Sequence, residues 1–191
     1  MNQLISIFLV TILAPVFLVT AVLVFVSIGS PIFFKQDRKG KSDKVFVTIK
    51  FRTLRGVDKV VVSKNEYLER TTPITRLLRK LKLDELPQLF NIMRSEMNFF
   101  GPRPLSYDYY LHPLEKYRNL RLSVAPGVIG LAQVLGLDHS NARRRLACDI
   151  FYIRNTSFFL KIKILLLLFR RLIFPAIDDP TDDLFSHRLK K

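Results

Sequence analysis

The sequence predicts a mostly α-helical membrane protein with a small β component, and three observations carry that expectation. The first 34 residues contain no charged side chain, and Leu4 to Ile28 is almost continuously aliphatic. Helix-start signals and apolar residues at i, i+3, i+4, i+7 recur through the middle of the chain. Strand character is confined to short runs, chiefly Val45-Phe46-Val47-Thr48-Ile49, which alternates aromatic and β-branched residues.

Residues 1–30 are expected to form a membrane segment. A straight helix from Leu4 to Ile28 would be about 37 Å long, more than the roughly 30 Å hydrocarbon core. Pro15 sits near its middle, where it removes a backbone donor and clashes with the preceding turn, so the helix bends or breaks there. Each half then covers about 20 Å, too little to cross alone. A kinked spanning helix and a re-entrant helix-break-helix both satisfy these constraints. A signal peptide does not: the segment has no basic leader, its apolar run is too long and no A-x-A-like site follows. Every lysine and arginine lies after the segment, which puts residues 35–191 in the cytoplasm and leaves the uncharged N-terminus free on either side.

Residues 31–176 are expected to be one cytoplasmic domain. Gly29-Ser30-Pro31 is a stop, and Lys35 to Lys44 supplies five cations as an interfacial collar. The strand from Val45 leads into Lys50-Phe51-Arg52-Thr53, and Gly56 to Asn65 reads as a loop or irregular hairpin. Thr72 as N-cap and Pro73 at the first position open a helix over Ile74 to Leu83, with Arg76, Arg79 and Lys80 on its polar side. A second helix is expected from Asp84, burying Leu86, Leu89, Phe90 and Met93. Asn98 to Pro104 breaks the pattern, and Tyr107 to Arg118 forms a further aromatic-rich helix. Ser123 to Gly130 is a turn between extended pieces, Leu131 to Leu135 a short strand and Arg143 to Phe151 a helix. Phe158 to Phe174, punctuated by Lys161, Lys163, Arg170 and Arg171, suits an interfacial amphipathic helix, with a core helix as the alternative. Residues 177–191, which include Asp178, Asp179, Asp182 and Asp183, form a polar, frayed tail.

Lysine and arginine number 31 against 16 acidic residues, a net charge of +15, so the surface attracts nucleic acid, lipid headgroups or nucleotides. Nucleic acid is disfavoured, because the cations flank apolar segments and no recognition-helix or RNA-binding pattern occurs. The single cysteine, Cys148, excludes an internal disulfide and suits a reducing compartment. His112, His139 and His187 share no metal-ligand spacing, and there is no phosphate loop or dinucleotide fingerprint.

Asp84-Glu85 is the most informative pair. As N-cap of a helix beginning at Glu85, Asp84 would accept from first-turn amides and stay ionised at the positive helix end. An ionised aspartate there can attack phosphorus, and Glu85 can hold a magnesium ion, which takes one or two carboxylates plus substrate phosphates. Plain capping accounts for the same two residues. Arg103 lies between Pro102 and Pro104, so its guanidinium is preorganised for bidentate phosphate binding, although a surface turn has the same sequence. Lys50 and Arg52 alternate on a strand and would leave from one face toward a single anion.

Lys50-Phe51-Arg52-Thr53, Leu83-Asp84-Glu85-Leu86-Pro87-Gln88-Leu89-Phe90-Asn91, Gly101-Pro102-Arg103-Pro104, Pro126-Gly127-Val128-Ile129-Gly130-Leu131-Ala132-Gln133-Val134 and Asp149-Ile150-Phe151-Tyr152 stand in this order. Together they resemble the bacterial sugar transferases, and among them the small monotopic phosphoglycosyl transferases, over about residues 31–174. The resemblance implies an enzyme of the bacterial inner membrane, with its catalytic domain on the cytoplasmic face. Such enzymes move a sugar 1-phosphate from a UDP-sugar to undecaprenyl phosphate, release UMP and use magnesium. It implies Asp84 as the nucleophile of a covalent phosphosugar intermediate, Glu85 as its partner at the metal, and Arg103, Lys50, Arg52 and Asp149 at the phosphate or substrate. It also implies that the segment broken at Pro15 is a re-entrant hairpin. Ala14 stands where the family often has serine, and Leu137 where it often has arginine. A catalytically degenerate scaffold of the same pathway is the alternative reading.

Overall fold

A computed structural model describes residues 2–56, 64–106, 117–137 and 142–173, and divides the chain into two compact units: Met1–Arg38 with Val45–Met97, and Lys39–Lys44 with Asn98–Lys191. The structure is mostly helical with a small sheet component, as the sequence predicts.

In the first unit, α1 (Asn2–Ile12) and α2 (Ala14–Ile28) meet at 65°. The break falls at Leu13, and Pro15 lies in the first turn of α2, the helical position where a missing N–H costs least. Among the described residues no single helix is long and apolar enough to cross a membrane; this bent pair passes on length and composition. Both arms are tied to the same unit. Ser6 donates to the carbonyl of Leu89 at 2.7 Å, and Gln3 donates to the Ser95 hydroxyl at 2.6 Å. At the far end of α2, the carbonyls of Ile28 and Gly29 each accept from Arg52 at 2.7 Å.

β1 (Phe33–Lys39) and β2 (Val45–Phe51) are neighbouring strands, with the Thr48 hydroxyl donating to the Gln36 carbonyl at 2.9 Å. Half of the expected cationic collar, Lys35–Lys39, is part of β1, whose two faces both carry polar residues, Lys35 and Asp37 on one and Gln36 and Arg38 on the other. Val24, Phe51 and Leu78 form the buried centre of this unit. Phe17 packs its ring 5.9 Å from that of Phe51 and 5.7 Å from that of Phe90, within the range of favourable tilted aromatic pairs.

α3 (Lys64–Arg70) begins inside the expected loop, whose residues 57–63 lie outside the described ones. α4 (Pro73–Lys80) starts where its signals placed it: Thr72 accepts from the amide of Thr75, and the Thr75 hydroxyl accepts from the amide of Thr72. Such a cap contributes about 1 kcal/mol. α5 (Gln88–Met93) starts four residues later than expected and buries Gln88, Leu89, Asn91 and Ile92.

In the second unit, β3 (Asn98–Phe100) pairs in parallel with β5 (Gly127–Ile129), Asn98 opposite Gly127 and Phe100 opposite Ile129. A Cβ on Gly101 would stand 2.8 Å from the nitrogen of Gly127, so two glycines are what lets these backbones meet. The unit also contains β4 (Leu105–Ser106) and α6 (Arg118–Leu122). The expected strand at Leu131–Leu135 is instead helix α7 (Leu131–Val134): Gly130 precedes it, and the Gln133 side chain turns back to accept from the Gly130 amide at 2.8 Å. A run as short as Leu-Ala-Gln-Val-Leu does not distinguish the two by period alone.

α8 (Ala142–Asn155) and α9 (Phe158–Ile173) cover this core, where Leu131, Leu135, Cys148, Tyr152 and Ile164 are buried together. Ile164 of α9 lies in the core, while Phe158 and Phe159 are 72% and 80% exposed. Residues 107–116 of the expected helix over Tyr107 to Arg118, the three histidines and the tail at 177–191 lie outside the described residues.

Candidate active site

Asp84 does not cap a helix. It sits in a tight turn, Leu83–Glu85, entered through Lys82 in the left-handed conformation (φ 60°, ψ 17°). The reason is Pro87, which has no N–H with which to continue an α-helix back to Leu83. The carbonyl of Leu83 accepts instead from Leu86 at 3.3 Å, and Lys82 from Glu85 at 3.2 Å. Asp84 is thereby pressed inward to 8% exposure, with one carboxylate oxygen, Oδ1, buried and making no hydrogen bond.

This reverses the expected electrostatics. Burial raises the Asp84 pKa above the ordinary aspartate value, and the neighbouring charge of Glu85 raises it further; Lys50, Arg79 and Lys82 pull in the opposite direction. Glu85 is held by Lys50, whose Nζ lies 2.6 Å from Oε1. β2 delivers Lys50 to this point, and Asn91 pins β2: its side chain accepts from the Ile49 amide at 3.1 Å and donates to the Val47 carbonyl at 2.7 Å. Glu96 accepts from the same amide group at 2.6 Å. Asn91 is fully buried, so these bonds are made in a low dielectric where losing one is costly.

Arg52 does not join Lys50 in facing an anion. It is 6% exposed and spends its guanidinium on the last carbonyls of α2, groups that no further helical turn satisfies. Arg52 lies one residue past the end of β2, so the two-residue spacing that would put it on the Lys50 face does not apply. Arg79 was legible only as part of a polar face, yet it sits at the C-terminal turn of α4, donates to Thr53 at 3.2 Å and contributes positive charge at Asp84.

In the second unit, Arg103 lies in the Pro102–Pro104 turn and lines a small cleft with Lys39 and Arg121. Asp149 is not at a surface. It is buried on α8 and takes the Nη2 of Arg121 at 2.8 Å. Burial pushes its pKa up to about 6 against the opposing charges of Arg121 and Arg145. Its motif position thus has a structural partner in Arg121.

A metal-binding group of three or more His, Cys, Asp or Glu side chains is absent among the described residues. Asp84 and Glu85 still fit the sparse coordination that magnesium takes when substrate phosphates and water complete its shell, since Asp84 Oδ1 is a buried acceptor with no donor.

The family model for bacterial sugar transferases matches residues 1–175. The chain belongs to the bacterial sugar transferase family. This sugar transferase is 40% identical over 171 residues to the sugar transferase EpsL of Bacillus subtilis, covering 88% of this chain and 83% of EpsL. It is 35% identical over 170 residues to the UDP-glucose:undecaprenyl-phosphate glucose-1-phosphate transferase of Caulobacter vibrioides, covering 83% of this chain and 62% of that protein. It is 34% identical over 183 residues to the undecaprenyl-phosphate glucose phosphotransferase of Komagataeibacter xylinus, covering 88% of this chain but 34% of that longer protein.

Proposed function

We propose that this chain transfers a sugar 1-phosphate from a UDP-sugar to undecaprenyl phosphate through a covalent intermediate on Asp84. The observation that carries the reading is the buried, hydrogen-bond-free Oδ1 of Asp84 beside the Lys50–Glu85 pair. The names of the Caulobacter and Komagataeibacter relatives support the donor and acceptor classes.

In the first step the Asp84 carboxylate attacks the phosphorus that carries the sugar. The bond to the UMP oxygen breaks, and UMP leaves with that electron pair. In the second step a phosphate oxygen of undecaprenyl phosphate attacks the same phosphorus, the acyl-phosphate bond breaks, and the Asp84 carboxylate is regenerated with undecaprenyl-diphospho-sugar as product. Burial keeps water from Asp84, and Lys50 and Arg79 favour the ionised form that attacks. Magnesium held by Asp84 and Glu85 would neutralise charge on the diphosphate.

We also propose a re-entrant membrane segment in the cytoplasmic leaflet of the bacterial inner membrane. Gln3 and Ser6 near one end, and Ile28 and Gly29 at the other, bond to the unit that carries Asp84. A segment with both ends on one unit enters and leaves by one face. Thiol labelling of Asn2→Cys from each side of the membrane tests this, since Cys148 is buried; labelling from the outside alone contradicts it.

Release of UMP by purified protein in membranes, with magnesium, undecaprenyl phosphate and a panel of UDP-sugars, tests the activity. Turnover with one or more sugars, abolished in Asp84→Asn, is expected. A fully active Asp84→Asn contradicts the mechanism.

A further inference from the structure

α4 carries an apolar stripe of which the core takes only one residue. At about 100° per residue, Ile74, Leu77, Leu78 and Leu81, the residue just past the helix, fall within an arc of about 100°. A stripe of that width ordinarily faces a core. Leu78 does so, buried with Val24 of α2 and Phe51 of β2. Ile74, Leu77 and Leu81 are 38%, 53% and 46% exposed, and their i, i+3, i+7 spacing joins them into one ridge beside the contact with α2. Single exposed leucines need no explanation, whereas a continuous ridge does. The charges around it have one sign. α4 contains Arg76, Arg79 and Lys80 and no acid; Arg79 turns inward to Thr53, and Lys80 and Lys82 are exposed.

We propose that α4 docks on an anionic lipid surface, with Ile74, Leu77 and Leu81 at the boundary between headgroups and acyl chains and Lys80 and Lys82 among the headgroups. An apolar stripe bordered by lysines is the pattern of a helix that lies in a lipid interface, and each cation near an anionic surface strengthens binding by about fivefold. Lipid is favoured over a protein partner by the neighbour: α4 packs on α2, whose opposite side exposes Leu18, Val22 and Val26, a second apolar surface in the same unit. The proposal rests on the membrane-segment reading given above and adds to it a separate lipid contact. Its consequence is positional. Lys82 alone separates Leu81 from the Leu83–Glu85 turn, and the charge of Arg79 acts on Asp84 from α4. Docking of α4 therefore holds Asp84 close to the plane in which a lipid phosphate lies.

The chain contains no tryptophan, so a single introduced one reports on its own position. Full-length Leu77→Trp, Val22→Trp and Arg76→Trp are reconstituted in vesicles containing phosphatidylglycerol, with doxyl quenchers at shallow or deep positions of the acyl chain. Leu77→Trp should be quenched, more by the shallow label than by the deep one, and Arg76→Trp, on the other side of α4, much less. Replacing phosphatidylglycerol with phosphatidylcholine, or adding Lys80→Gln, should weaken the quenching of Leu77→Trp and leave that of Val22→Trp unchanged. Leu77→Gln should raise KM for undecaprenyl phosphate severalfold with KM for the UDP-sugar unchanged. Quenching of Val22→Trp with Leu77→Trp no more quenched than Arg76→Trp would overturn the proposal and leave the membrane segment standing. A blue-shifted but unquenched Leu77→Trp would assign the ridge to a protein partner and overturn it equally. No quenching at Val22→Trp either would remove the membrane segment and this proposal together.

Discussion

Lys50 Nζ lies 2.6 Å from Glu85 Oε1, and the same lysine opposes the burial that holds the Asp84 pKa above its ordinary value. One cation thus fixes one carboxylate and favours ionisation of the other. Because Asp84 must be ionised to attack phosphorus, the acid limb of the kcat profile should lie above the pH at which an exposed aspartate titrates. Lys50→Met should move that limb to still higher pH and lower kcat at neutral pH. UMP release measured across pH checks both effects.

Asp84 should cost the protein stability at the pH where it works. Its folded pKa is raised, so the stability it contributes is complete below the unfolded value of 3.8 and is lost as pH rises through the folded value. Asp84→Asn, which carries no charge, should melt at a higher temperature than wild type at pH 7. The gap should close as pH falls toward 3.8, and thermal melts at several pH values measure it.

Asp149 makes a second, separable prediction. With its pKa moved from 3.8 to about 6, wild-type stability should fall by about 3 kcal/mol as pH rises through that window. Asp149→Asn keeps an acceptor for Arg121 and removes the titration. Its stability should fall by about 3 kcal/mol less than that of wild type over the same window, with the slope due to Asp84 retained, as read by denaturant unfolding in detergent.

Arg52→Met should damage the fold rather than the chemistry. It strips two charge-assisted bonds from the carbonyls of Ile28 and Gly29, each worth about 1.5–3 kcal/mol. A lower melting temperature with KM for the UDP-sugar unchanged in the surviving protein is expected. A changed KM with normal stability would return Arg52 to the anion site.

The features legible in the sequence were local ones. Thr72-Pro73 specifies its helix start through neighbouring atoms, and α4 begins there. Pro15 breaks the apolar run by its own stereochemistry, and α1 and α2 are separate helices. Pro87 was equally visible, but its missing N–H produces a tight turn at Leu83–Glu85 only because no residue ahead of it opens a helix there. Strands β3 and β5 are three residues each and exist only through each other, so no period could announce them. The roles of Arg52, Arg79 and Arg121 are settled by partners distant in sequence; in the sequence each is one cation among 31.

The covalent role of Asp84 is the central claim, and a single-turnover experiment reaches it most directly. The protein is mixed with magnesium and a turnover-competent UDP-sugar in the absence of undecaprenyl phosphate, quenched, and analysed for UMP and by mass spectrometry of its peptides. The account predicts UMP up to one equivalent per active protein, with the mass of a sugar phosphate on the peptide that contains Asp84. UMP release only after lipid phosphate is added, with Asp84 unmodified throughout, would contradict it.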